Sequence, residues 1–159
     1  MTKITTTGLL LVLPAFVIAA TVAQADKDDA RAREAVEQFI KAALARDLDG
    51  VMKHVDVPWC QDARRIVKDK EELRKAFLKS FQRPGQLMEA KLHIREVGTL
   101  EQLREKKKGP PARDVSLGEV LGKEHRVVFV ELEHDGRLQP VWIGVRLEKG
   151  EAKVVGTVD

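Results

Sequence analysis

The chain has 159 residues and a mass of 17.8 kDa, room for one domain and too little for two sizeable ones. Apolar residues make up 43% and charged residues 33%, the balance of a folded globular protein and not of a disordered chain. The 28 basic and 25 acidic residues leave a formal charge of +3, too small an excess to build a phosphate-attracting field, so nucleic acid is not an expected partner. The single cysteine, Cys60, excludes an internal disulfide.

The first 25 residues read as an address. Lys3 supplies a positive start, Gly8 to Ala20 is an apolar run, and Ala23-Gln24-Ala25 offers the small-x-small pattern of a signal-peptidase site. A membrane-spanning helix needs about 20 apolar residues; this run is shorter and is interrupted by Pro14. The expectation is a cleaved signal peptide over 1–25 and an exported mature domain over 26–159, periplasmic or secreted, with no stable membrane anchor. Loss of Lys3 with that segment leaves 27 basic against 25 acidic residues, or +2.

The mature chain begins helical. Ala32, Ala35, Val36, Phe39, Ile40, Ala43 and Leu44 form an i, i+3, i+4, i+7 stripe that predicts a helix over 28–46. Its other face is mixed in charge and not basic, so the stripe is expected to pack in a core instead of lying on a membrane. Asp47 restarts the pattern for a short helix ending near His54. Val55 to Cys60 alternates and contains Pro58, which predicts a short edge strand. Asp69, with Glu72 three residues on, has capping-box spacing for a third helix carrying Leu73, Ala76, Phe77 and Phe81 on one face, stopped by Pro84-Gly85.

Beyond Gly85 the period falls to 2. Met88, Ala90, Leu92 and Ile94 alternate with Glu89, Lys91, His93 and Arg95, a strand with one wet face. Thr99 to Lys108 reads as a polar helix anchored by Leu100 and Leu103, followed by an exposed Lys106 to Pro111 loop, and Ser116 to Leu121 as one helical turn. Strands over 126–133, 138–147 and 152–158 follow, joined by the tight-turn signal His134-Asp135-Gly136-Arg137 and by Glu148-Lys149-Gly150-Glu151; Pro140 predicts a bulge or an edge position. Helices followed by an antiparallel meander predict an α+β fold with the helices on one face of the sheet. No repeat, Gly-rich phosphate loop, G-x-S-x-G, paired cysteines or aromatic-interleaved basic stripe occurs, which removes nucleotide hydrolases, serine hydrolases and zinc ribbons.

This order of elements resembles the nuclear transport factor 2-like, or SnoaL-like, domains. The resemblance lies in the first helix running into Ala45-Arg46-Asp47-Leu48-Asp49-Gly50-Val51-Met52, the capped helix from Asp69 to Phe81, and the closing strand Ala152 to Asp159, and covers 30–159. It implies a cone: N-terminal helices packed in a curved antiparallel sheet, with a pocket at the open end and frequent pairing of two copies through the sheet. The family spans isomerases, dehydratases, cyclases, ligand carriers and non-catalytic modules, so the fold does not settle the activity.

Family enzymes work with carboxylates and histidines in a hydrophobic cavity, where burial raises a carboxyl pKa. The tyrosine donor of the ketosteroid isomerase-like version has no counterpart, because the chain contains no tyrosine. Asp56 falls where the family often places an acidic base, its alternative being an exposed partner of Lys53 or a turn cap. His54 and His93 are the candidate assistants; His54-x-Asp56 also suits a base with its orienting carboxylate. His125 stands alone, and His134 belongs to the hairpin turn, where it is expected to be solvated. No histidine has metal-ligand spacing, and neither a metal nor a cofactor is expected. Trp59, Phe39, Phe77 and Trp142 are candidates to line a pocket for a small apolar ligand, with core packing or a dimer face as the alternative for the two indoles. Cys60 is expected to be buried, and Arg64-Arg65 is an exposed pair or an anion contact. The assignable core positions Phe39, Ile40, Phe77, Leu92, Ile94, Val128, Val130 and Ile143 are all apolar. They favour a non-catalytic ligand-binding or dimerisation module over the alternative, a cofactor-free isomerase or lyase with Asp56 as base.

Overall fold

A computed structural model of the chain describes residues 15–61, 65–82, 90–110 and 116–159. Helix α1 (Ala15–Leu44) leads through Asp47, whose carboxylate accepts the Gly50 N–H at 2.9 Å, into α2 (Leu48–His54). An aspartate at this N-cap satisfies a donor that the first helical turn leaves open. Strands β1 (Val55–Gln61) and β2 (Arg65–Val67) follow. Then comes α3 (Lys70–Gln82), capped by Asp69 Oδ1 accepting the Glu72 N–H at 2.7 Å. Next are β3 (Lys91–Gly98), α4 (Leu100–Glu105) and α5 (Ser116–Val120). Strands β4 (Arg126–His134), β5 (Arg137–Glu148) and β6 (Glu151–Val158) end the described chain.

The strands form one sheet in the order β2-β1-β6-β5-β4-β3. Its inner face carries the main core. Ala32, Ala35, Val36, Phe39 and Ile40 of α1 pack against Val128, Val130, Val141, Ile143, Val145 and Val154, and α2 and α3 add Val51 and Leu73. The spacing 32, 35, 36, 39, 40 is the sequence stripe, and all five side chains are buried. Each fully buried large aliphatic or aromatic side chain contributes about 1.5–3 kcal/mol, so this stripe is what seats α1 in the sheet.

A second core lies on the outer face. Leu103 of α4 and Leu117 and Val120 of α5 pack on Cys60, Val127, Val155 and Val158. Helices therefore cover both faces, where the sequence pointed to one. The elements responsible are short and mostly polar, and their few apolar residues report burial without saying against which face. Gly144 of β5 permits the approach: a Cβ there would stand 2.7 Å from Leu117 Cδ1.

Three further expectations are corrected. The sheet is not wholly antiparallel, because β1 runs parallel to β6. Nor is β1 an edge strand, since β2 adds antiparallel beyond it through Trp59↔Val67 and Cys60↔Ile66. Pro58 is accommodated where the β1–β6 register shifts, between Val55 and Cys60, behind a cis Val57–Pro58 bond. The N-terminal helix begins at Ala15, ahead of the expected start, and the position between Ala25 and Asp26 lies within it. The β4–β5 turn forms as expected, with Asp135 and Gly136 at φ 49° and 72°. Pro140 pairs with Glu131 beyond the point where β6 joins β5 at Trp142↔Val158, so among the described residues that stretch of β5 has β4 on one side and no strand on the other. Met88, Glu89, Pro84-Gly85 and Pro111 lie outside the described residues.

Candidate functional site

Three aromatic residues, one each from α1, β1 and α3, meet on the inner face of the sheet. Strand alternation turns Val55, Val57 and Trp59 inward, and the α3 stripe brings Phe77 onto Trp59 edge-on, with ring centroids 5.3 Å apart. Phe39 of α1 closes the triangle, 5.9 Å from Trp59 and 6.2 Å from Phe77, and Phe81 lies 6.3 Å beyond Phe77. Edge-to-face contacts of this kind add to simple area burial and hold the rings in fixed orientation. Over Trp59 and Phe77 lies a depression of about 390 Å³, walled by Leu73, Ala76 and Ser80 of α3, Gln61 of β1, and Thr157 and Asp159 at the end of β6. Its floor is apolar and its rim offers hydrogen-bonding groups, the usual composition of a small-molecule site.

A groove of about 500 Å³ adjoins it on the β2 side of α3 and shares Gln61, Ala76 and Ser80 with it. Arg65, Glu72, Lys75 and Lys79 complete its walls, and the Arg65 guanidinium is engaged by the Glu72 carboxylate. Arg64 lies outside the described residues.

Of the four pocket candidates, Phe39, Trp59 and Phe77 are thus brought together, and Trp142 is not. Val141 and Ile143 face the inner core, so alternation sends Trp142 to the outer face. There it stacks on Phe129 at 5.2 Å and donates from Nε1 to the Lys108 carbonyl at 2.8 Å.

His54, Asp56 and His93 occupy three separate surroundings. Asp56, between the inward-facing Val55 and Val57, points to the other side of β1. Arg146 Nη1 lies 3.5 Å from its Oδ2 and also donates to the Val57 carbonyl at 3.2 Å, while Lys70 Nζ is 3.9 Å from its Oδ1. The carboxylate is 38% exposed and borders a charged depression of about 290 Å³ with Glu148, Lys149, Glu151 and Lys153. Its partners are therefore Arg146 and Lys70, not Lys53. His54 ends α2 and borders a shallow depression with Arg31, Glu34 and Gln38 of α1. Burial, then the charges of Lys153 and Lys53, hold its imidazole below the ordinary value. His93 lies on the outer face, its Nε2 2.8 Å from Glu133 Oε2, and that hydrogen bond holds the Glu133 carboxyl below its ordinary value.

The remaining candidates are structural in their contacts. Cys60 is fully buried beside Gly156, where an added Cβ would meet Cys60 Cβ at 2.6 Å. His134 stands in the hairpin turn, its side chain 25% exposed and its Nε2 3.2 Å from Asp135 Oδ2. His125 accepts the Leu147 N–H on Nδ1 at 3.3 Å, and burial is the main cause that lowers its pKa. Among the described residues no group of three His, Cys, Asp or Glu side chains comes together to hold a metal ion. No described helix is long and apolar enough to cross a membrane.

Sequence reasoning missed Gln61, Ser80, Thr157 and Asp159. Ser80 was within reach, because it continues the 73, 76, 77 stripe of α3 by one turn. The others reach the rim through the β1–β6 pairing, Gln61↔Thr157, which joins strands far apart in the chain.

No protein-family model matches the chain, and no curated protein matches it. Among solved structures, a ketosteroid isomerase-like protein from Erwinia carotovora atroseptica is similar at TM-score 0.52 and 14% identity, over 82% of this chain and 93% of that one. A protein of unknown function with a cystatin-like fold from Nostoc punctiforme is similar at TM-score 0.51 and 12% identity, over 82% of this chain and 88% of the other. An NTF-2 like protein of unknown function from Burkholderia xenovorans covers 82% of both chains at 16% identity and TM-score 0.45. At such identities the likeness is one of fold alone: the chain has the α+β fold of the ketosteroid isomerase-like and cystatin-like structures.

Proposed function

We propose that this domain is an exported, non-catalytic small-ligand-binding module whose site is the depression over Trp59 and Phe77. The observation that carries the reading is the aromatic floor under a rim of neutral hydrogen-bonding groups, Gln61, Ser80 and Thr157. General acid–base chemistry needs convergent titratable groups, and Asp159 is the one such group among the described residues of this lining. Support for export is the segment 1–25, with its apolar run and Ala23-Gln24-Ala25.

The test is native mass spectrometry of the protein purified from its own host without refolding. The expected spectrum shows a chain shortened by 25 residues that carries a discrete small-molecule mass, lost in Phe77→Ala protein that is still folded. An unshortened chain refutes export by cleavage at Ala25. Turnover of a carbon-acid substrate that is abolished by Asp56→Asn in folded protein refutes the non-catalytic reading.

A second reading has its own observation. Leu138 is 51% exposed and, through Glu133↔Leu138, shares the outer face of β4 and β5 with exposed Pro140. That strip, clear of α4 and α5, is where two copies pair through the sheet. Sedimentation analysis checks it: a dimer converted to monomer by Leu138→Lys is the expected result.

A further inference from the structure

We infer that the ligand is a small amphipathic carboxylate, lying with its apolar end on Trp59 and Phe77 and its carboxylate toward Lys75 and Lys79 of α3. The inference rests on the ligand-binding reading above and adds the chemical class and the orientation.

Two observations meet here. The depression over the aromatic floor and the adjoining groove share Gln61, Ala76 and Ser80 in their linings, so a molecule lying across these three residues reaches both. Along that span the charge is graded. At the groove end stand Arg65, Lys75 and Lys79, with Arg65 neutralised by Glu72; Lys75 and Lys79 have no ion-pair partner among the described residues. At the other end stands the Asp159 carboxylate, next to the aromatic floor.

Lys75 and Lys79 are one helical turn apart, so their ammonium groups flank a single position on the groove wall. An anion in the groove gains from both ammonium groups, and an anion placed over the aromatic floor is repelled by Asp159. Gln61 and Ser80, shared by the two cavities, lie between the poles and can donate to a carboxylate oxygen. A neutral ligand gains only the apolar floor, and a cation is repelled at the groove end. The lysines are exposed, so their pair is worth roughly tenfold in affinity and is weakened by salt.

The experiment compares phenylbutyrate, phenylbutyramide and phenylbutylamine on the full-length protein carrying Trp142→Phe, so that emission reports Trp59, with calorimetry in parallel. The expected order is carboxylate, then amide, then amine. The preference for carboxylate over amide is roughly tenfold at low salt and shrinks as salt is added. In Lys75→Gln/Lys79→Gln protein, carboxylate affinity falls to that of the amide and amide affinity is unchanged. Equal binding of carboxylate and amide to the parent protein overturns the charge assignment and leaves the ligand-binding reading standing. If none of the three compounds perturbs Trp59 or gives heat, both are overturned.

Discussion

Arg126 Nε donates to Asp29 Oδ1 at 2.6 Å, joining the start of β4 to helix α1 across 97 positions of sequence. The guanidinium also donates to the Glu124 carbonyl at 2.8 Å and lies 3.8 Å from Asp28. Arg126 is 7% exposed, the one charged residue among the described ones to be so buried. Asp28 and Asp29 lie beyond Ala25, so the contact that ties α1 to the sheet would be kept if the chain were cleaved there.

Arg126→Ala deletes the buried guanidinium with both its hydrogen bonds and the packing of its stem, while the Asp29 carboxylate left behind is exposed enough to hydrate. Arg126→Ala is expected to cost about 2–4 kcal/mol in urea unfolding. Asp29→Asn is expected to cost no more than about 1 kcal/mol, because Asp29 is half exposed and its amide replacement still accepts a hydrogen bond. Equal effects of the two substitutions would contradict this placement.

Gly144 and Gly156 face each other across the β5–β6 pair, and both are sites of close approach on the outer face. At Gly156 a Cβ meets the Cys60 carbonyl oxygen at 2.7 Å as well as its side chain, so backbone must move. At Gly144 the obstacle is the tip of Leu117, a side chain that can shift. Gly156→Ala is expected to destabilise by about 2–3 kcal/mol and Gly144→Ala by about 1 kcal/mol, within the range for overpacking. Thermal unfolding of both variants checks the order. Cys60→Ala should not rescue Gly156→Ala, because the carbonyl remains.

The acid limb of stability follows from two histidines. His125 and His54 both have folded pKa values below the ordinary 6.5, burial being the leading cause for each. The folded state therefore prefers the neutral ring, while the unfolded chain takes up a proton near 6.5. Stability is full above that pH and falls as the pH drops toward the lower folded values. His125→Asn retains an acceptor for the Leu147 N–H and removes one titrating group. It should flatten the slope of unfolding free energy between pH 7 and about pH 5, measured by urea titration at each pH. An unchanged slope would assign the acid sensitivity elsewhere.

Trp59 is 3% exposed and Trp142 half-buried, which separates their optical behaviour. Trp142→Phe protein should emit at shorter wavelength and resist acrylamide quenching, whereas Trp59→Phe protein should remain quenchable. Loss of a core aromatic costs about 3–5 kcal/mol, so Phe39→Ala, at the centre of the triangle, should lower stability by roughly that amount. Phe77→Ala, at the more open edge, should cost less.

What was legible in the sequence was whatever local periodicity encodes. The 32–40 stripe, the Asp47 and Asp69 caps, the two-residue turn at Asp135-Gly136 and the alternation of β3 each depend on neighbours a few residues away. The inward set Phe39, Ile40, Phe77, Val128, Val130 and Ile143 was likewise expected from the sequence. Tertiary structure decided the rest, because pairing and facing depend on partners that no local pattern names. It placed β2 beyond β1, made β1 parallel to β6, and laid α4 and α5 on the outer face, where Gly144 leaves room for Leu117. It sent Trp142 outward by a single step of alternation, and parted Asp56 from His54 by turning one carboxylate toward Arg146. The ligand rim was likewise out of reach of the sequence: Gln61 and Thr157 are adjacent only because two strands separated by nearly the whole domain lie side by side.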